Sequence, residues 1–110
     1  MKTKLKKDKF RNVRGGYSRL LNIYCRKCNS LVLSYQKDGP GNLRRLYLDR
    51  IFSPKKLTNL QKNNLKEISN LKCLKCYELL GTPYIYDKEN RKAYRLYQDA
   101  VMKKLRKLGS

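Results

Sequence analysis

Four cysteines occur in two identical spacings, Cys25-Arg26-Lys27-Cys28 and Cys73-Leu74-Lys75-Cys76, and there is no fifth. Two intervening residues let a tight turn aim both thiolates at one point, where the turn's main-chain N–H groups can hydrogen-bond the sulfurs. Two such turns brought together supply four sulfurs in a tetrahedron, the ligation of structural zinc, with Zn–S of about 2.3 Å. The Arg and Lys between the cysteines lower the thiol pKa and offset the negative charge of the cluster. Cys25, Cys28, Cys73 and Cys76 are therefore expected to hold one structural Zn²⁺; iron on four thiolates is the open chemical alternative. Two disulfides would need an oxidising compartment, and a redox Cys-x-x-Cys would need a βαβ context that neither pair shows.

This arrangement resembles the zinc-ribbon or zinc-knuckle superfamily, in which two cysteine turns on β-hairpins clamp one zinc. The resemblance covers mainly residues 24–29 and 72–77. Members often place glycine directly after the second cysteine of a pair, whereas Asn29 and Tyr77 stand there in this chain. Asn enters the left-handed region at modest cost and Tyr does not, so the two turns are expected to differ. The 44 residues between Cys28 and Cys73 also exceed the usual ribbon gap. Loop-closure entropy grows by only about 0.6 kcal/mol per doubling of length, so the insert does not forbid the site.

Charge is the second strong feature. Twenty-eight Lys and Arg face eight Asp and Glu, a formal net charge of +20. An imbalance of that size repels itself in a compact state and calls for a polyanionic partner. The basic residues concentrate towards the two ends of the chain. Residues 1–16 hold Lys2, Lys4, Lys6, Lys7, Lys9, Arg11 and Arg14 with almost nothing to bury, and read as a flexible basic arm. No secretory signal and no apolar run of about 18 residues is present, so a soluble, cytoplasmic protein without a membrane partner is expected.

Residues 17–110 are expected to form one small α+β domain of zinc-ribbon-like β-hairpins with a C-terminal amphipathic helix. Tyr17 to Tyr24 reads as a first strand entering Cys25, and Leu31 to Tyr35 as a second. Lys37-Asp38-Gly39-Pro40-Gly41-Asn42 is a strong turn signal, after which Leu43 to Phe52 is expected to complete a hairpin. Residues 55–70 suggest a weak helix, poor in helix formers. Leu79-Leu80, a break at Gly81-Thr82-Pro83, and Tyr84-Ile85-Tyr86 suggest a turn and a strand. Asp87 is placed as an N-cap. Tyr94, Tyr97, Val101, Leu105 and Leu108, spaced 3, 4, 4 and 3 apart, predict a helix over 88–107 with those residues on its buried stripe.

Function is expected to be non-catalytic. The chain has no histidine for acid–base work, four sulfurs leave zinc no open coordination position, and no phosphate-binding glycine motif appears. The expected role is that of an RNA-binding structural zinc protein, ribosomal or ribosome-associated, with rRNA and ribosomal proteins as partners. The analogy to small ribosomal zinc proteins is one of style. The candidate contacts are Lys4, Lys6, Lys7, Arg11, Arg14, Arg19, Arg26, Lys27, Arg44, Arg45, Arg50, Lys103, Arg106 and Lys107 for phosphates. Tyr17 and Tyr47 are the candidates for base stacking. The alternatives are a zinc-ribbon DNA-binding or transcription-associated protein and a protein-interaction adaptor.

Overall fold

The computed structural model describes residues 5–6, 18–39 and 41–106. Most of the expected arm (1–16), along with Tyr17, Lys107 and Leu108, lies outside these residues. Within them the regular structure is β apart from four short 3₁₀ turns. Eight strands, β1 (Ser18–Cys25), β2 (Leu31–Asp38), β3 (Arg45–Tyr47), β4 (Ile51–Ser53), β5 (Leu71–Lys72), β6 (Leu79–Tyr86), β7 (Arg91–Leu96) and β8 (Val101–Leu105), form two antiparallel sheets. The first sheet runs β4-β2-β1-β8 and the second β3-β7-β6-β5. No helix among the described residues is long and apolar enough to cross a membrane.

The helix expected over 88–107 is not formed among the described residues, which run to 106. Asp87 begins a turn, its carbonyl accepting the Asn90 N–H, and Asn90 takes the left-handed region at φ 51°. Residues 91–96 then alternate faces as β7, paired along its length with β6. A second turn, with Asp99 at φ 59°, reverses the chain into β8, which crosses to the first sheet and pairs with β1. The spacing that suggested a helical stripe spans this break. Tyr94 is core at 1 % exposure, but Tyr97 and Leu105 are 50 % and 70 % exposed. Asn and Asp enter left-handed turns readily, so two short strands joined there satisfy the same sequence. The α+β expectation is thereby corrected to an all-antiparallel β architecture.

Two further expectations change. Leu43 to Phe52 is not the return arm of a hairpin: β3 pairs with β7 in the second sheet, a 3₁₀ turn at Leu48–Arg50 follows, and β4 returns to β2. Residues 55–70 form no helix but three isolated 3₁₀ turns, Lys55–Leu57, Leu60–Lys62 and Leu65–Glu67, in keeping with a stretch rich in Asn. The strand around Tyr84 extends back through Pro83. Proline is tolerated there because β5 pairs with β6 only around Gly81 and Leu79, which leaves that edge of β6 open at Pro83.

One apolar core joins the sheets. Leu21, Ile23, Leu33, Tyr35 and Ile51 from the first share it with Leu46, Leu71, Leu80 and Tyr94 from the second, and Leu48 and Ile68 from the connections complete it. The Tyr35 hydroxyl accepts the Tyr47 N–H at 2.9 Å and so ties β2 to β3 across the layers. Gly81 stands beside β7 without room for a side chain: a Cβ there would lie 2.7 Å from the Arg95 carbonyl oxygen.

Candidate metal centre

Each cysteine pair occupies the turn of a hairpin, one between β1 and β2 and the other between β5 and β6. The two turns make the same main-chain hydrogen bonds. The Cys25 N–H donates to the Ser30 carbonyl at 2.9 Å and the Asn29 N–H to the Cys25 carbonyl at 2.8 Å. In the second turn the Cys73 N–H donates to Glu78 at 3.0 Å and the Tyr77 N–H to Cys73 at 2.9 Å. Asn29 and Tyr77 both adopt φ 63°. The expected difference between the turns is therefore absent: Tyr77 accepts the left-handed strain that a glycine would avoid, and its ring, 75 % exposed, meets no obstruction.

The four sulfurs lie within 4.8 Å of one another and form a cluster that could hold one metal ion. Cys25 Sγ is 3.7 Å from Cys76 Sγ, and Cys28 Sγ is 3.4 Å from Cys73 Sγ. A tetrahedral S₄ shell at about 2.3 Å from its metal has S···S edges of about 3.8 Å, so the spacing fits a single ion. All four cysteines are free of disulfides. The first cysteine of each pair is sealed in the core (Cys25 0 %, Cys73 1 % exposed), while Cys28 and Cys76 are half-buried at the rim.

Local dipoles support the charge a metal requires. Hydrogen bonds from the Ser30 side chain and main chain bring the Cys28 thiol down to about 6. At Cys76 the Glu78 main-chain N–H pulls downward, but burial and the neighbouring sulfurs outweigh it and push the thiol up to about 12. Without a metal Cys28 thus gives up its proton readily and Cys76 holds its own. A divalent ion reverses the second effect by displacing the proton. Lys27 bridges the two turns with an ion pair to Glu78 at 2.9 Å, and that partner holds its ammonium above the usual range. Ser30 and Glu78 were not singled out in the sequence. Their shared place, two residues after the second cysteine of each pair, was the available signal.

The residues expected to bind nucleic acid divide sharply. Arg26, Lys27, Arg44 and Lys103 are exposed, and Arg19 is partly buried on β1. Lys6 donates its main-chain N–H to Gln36 Oε1 and accepts from Gln36 Nε2. Arg106 donates to Ser34 Oγ at 2.9 Å. Arg50 is sealed at 0 % exposure, its Nε 2.8 Å from Asp38 Oδ2, so it is part of the core rather than of a binding surface. Tyr47 is buried as well, under the Arg91 guanidinium at 3.7 Å, and offers no free face to a base. Arg45 is engaged too, over Tyr86 at 4.1 Å with its Nε on the Tyr84 hydroxyl. With Arg95 over Tyr84 at 4.5 Å, these stacks form an arginine–tyrosine layer on the second sheet. Lys4, Lys7, Arg11, Arg14, Tyr17 and Lys107 lie outside the described residues.

No family model matches the chain, and neither a curated protein nor a solved structure matches it.

Proposed function

We propose that this protein is a non-catalytic RNA-binding module whose fold is fastened by one structural zinc ion. The observation that carries the reading is where the acidic residues go. Asp38 is spent on Arg50, Asp49 and Glu89 on Arg91, and Glu78 on Lys27. The acids left exposed among the described residues are Glu67, Asp87 and Asp99, whereas exposed Lys and Arg occur from the first cysteine turn to β8. The surface is therefore more one-sided than the composition, and a polyanion is its natural complement.

RNA is preferred to duplex DNA because the described residues contain no α-helix to enter a major groove. The cations are spread over turns and strands, as an irregular polyanion favours. Zinc is preferred to iron as the closed-shell ion of structural S₄ sites, where it supplies folding energy and no redox chemistry. Titration against an rRNA fragment and a DNA duplex of equal length at 50, 100 and 200 mM salt tests the partner. Tighter binding to the RNA with a steep salt dependence is expected; preference for the duplex would transfer the role to DNA. Elemental analysis and the visible spectrum of the purified protein separate zinc from coloured iron–thiolate centres.

A further inference from the structure

The groove between the β2–β3 connection and the β7–β8 turn has a volume of about 910 Å³ and borders the first cysteine turn. We infer that it is the contact site for single-stranded RNA, with one base stacked on Tyr97 and the adjoining phosphates held by Arg26, Arg44 and Lys103. The inference rests on the RNA-binding reading and adds to it a place and a strand state.

Three independent elements send a cation into this groove: Arg26 from the cysteine turn, Arg44 from the β2–β3 connection and Lys103 from β8. Asp99 is the one acid among the lining residues. Such convergence from distant parts of the chain concentrates positive potential where a backbone would lie. The aromatic partner is present and open. Tyr97 is 50 % exposed, although nothing in a strand turn requires a large ring in water. Its main chain is clamped on both sides: the Tyr97 N–H donates to Leu80 at 3.0 Å and its carbonyl accepts from Ala100 at 3.2 Å. The ring thus stands on a fixed turn, in contrast to Tyr47, Tyr84 and Tyr86, whose contacts with arginines already occupy them.

The groove is also coupled to the metal centre. The Arg26 N–H donates to Ala100 at 3.0 Å, so the turn carrying Tyr97 is fastened to the first cysteine turn. The volume lies within the roughly 300–1,000 Å³ of sites for small organic ligands, room for a base and its adjoining phosphates. Only an unpaired strand presents a base face to an aromatic ring.

The chain has no tryptophan, so Tyr97→Trp introduces a single reporter at the proposed stacking position. The metal-loaded, full-length variant is titrated with an unstructured 12-nucleotide RNA at 50, 100 and 200 mM salt, with metal content checked for every variant. Emission should be quenched as the RNA binds. Tyr97→Ala should weaken binding about ten-fold or more at an unchanged salt slope, and Tyr97→Phe should restore it, because the ring face does the stacking. Replacing Arg44 and Lys103 together by alanine should flatten the log–log salt slope by about 1.4, as two lost single-strand phosphate contacts would. Lys55→Ala with Lys56→Ala, on a 3₁₀ turn that does not line the groove, should leave affinity within two-fold. Steep-salt binding with unchanged emission and an unaffected Tyr97→Ala would overturn the groove and leave the RNA-binding reading standing. Absence of binding to any nucleic acid at 50 mM salt overturns both. Equal quenching by polyglutamate at matched charge would assign the groove to an acidic protein segment instead.

Discussion

The buried pair Asp38–Arg50 gives the sharpest test of how this domain holds together. Arg50 is fully buried, and Asp38 receives hydrogen bonds from Ser18 Oγ at 2.6 Å, Gln36 Nε2 at 2.8 Å and Arg50 Nε at 2.8 Å. Removing one charge of a buried pair costs about 3–5 kcal/mol, because the other is left in low dielectric. A domain of this size has about 5–15 kcal/mol of net stability, so Asp38→Asn should consume a large part of it. With a urea m-value of about 1.5 kcal/mol/M, the midpoint should fall by about 2–3 M, measured by circular dichroism at saturating metal. Replacing both residues, Asp38→Leu with Arg50→Met, should recover most of the loss, since an apolar pair of similar shape has no charge to desolvate. The same pair predicts an acid limb. Burial alone would raise the Asp38 pKa, but the bonds from Ser18, Gln36 and Arg50 and the Arg50 charge hold it below the usual carboxylate range. Its contribution is therefore complete above about pH 4 and is lost as pH falls through the depressed folded-state value. A midpoint shift below about 0.5 M for Asp38→Asn, or a double variant worse than the single, would refute the reasoning.

The metal centre should carry one ion per chain by elemental analysis, and chelation should unfold the domain cooperatively; retention of the native spectrum after full metal removal would count against it. Tyr94→Ala should cost about 3–5 kcal/mol, whereas Leu105→Ala should stay within about 0.5 kcal/mol, a contrast that thermal melts resolve and that a buried C-terminal helix would erase. Gly81→Ala should destabilise by about 1–3 kcal/mol or more, because its methyl meets the Arg95 carbonyl; an unchanged urea midpoint would place β6 and β7 further apart. Tyr77→Gly should stabilise by about 1 kcal/mol by relieving the left-handed strain at an exposed position, with metal-buffered melts as the measure.

The gathering of the four cysteines was legible because it is written in residue type and spacing, which survive any fold that brings the turns together. So were β1 and β2, whose apolar residues run directly into and out of the first turn. The region 88–107 was misread because Tyr94, Tyr97, Val101 and Leu105 match a helical period across a break that only Asp99 marks. One left-handed residue outweighed three spacings. Arg50 and Tyr47 looked like surface ligands by neighbourhood alone. Their burial depends on Asp38 and Arg91, partners 12 and 44 positions away that no local pattern announces. The equivalence of the two cysteine turns was likewise hidden, because tyrosine has poor intrinsic preference for the conformation that Tyr77 takes under hydrogen-bonding constraint.

One cysteine pair belongs to each sheet, so the ion would join the two layers in the manner of a rivet. Parting the layers would then require dissociating the ion, and each loss of the ion would free the layers to part. Alkylation of Cys28 and Cys76 at the rim, followed over time by mass spectrometry, would become a clock for the opening of the whole domain. Once that opening limits the reaction, its rate would become independent of reagent concentration.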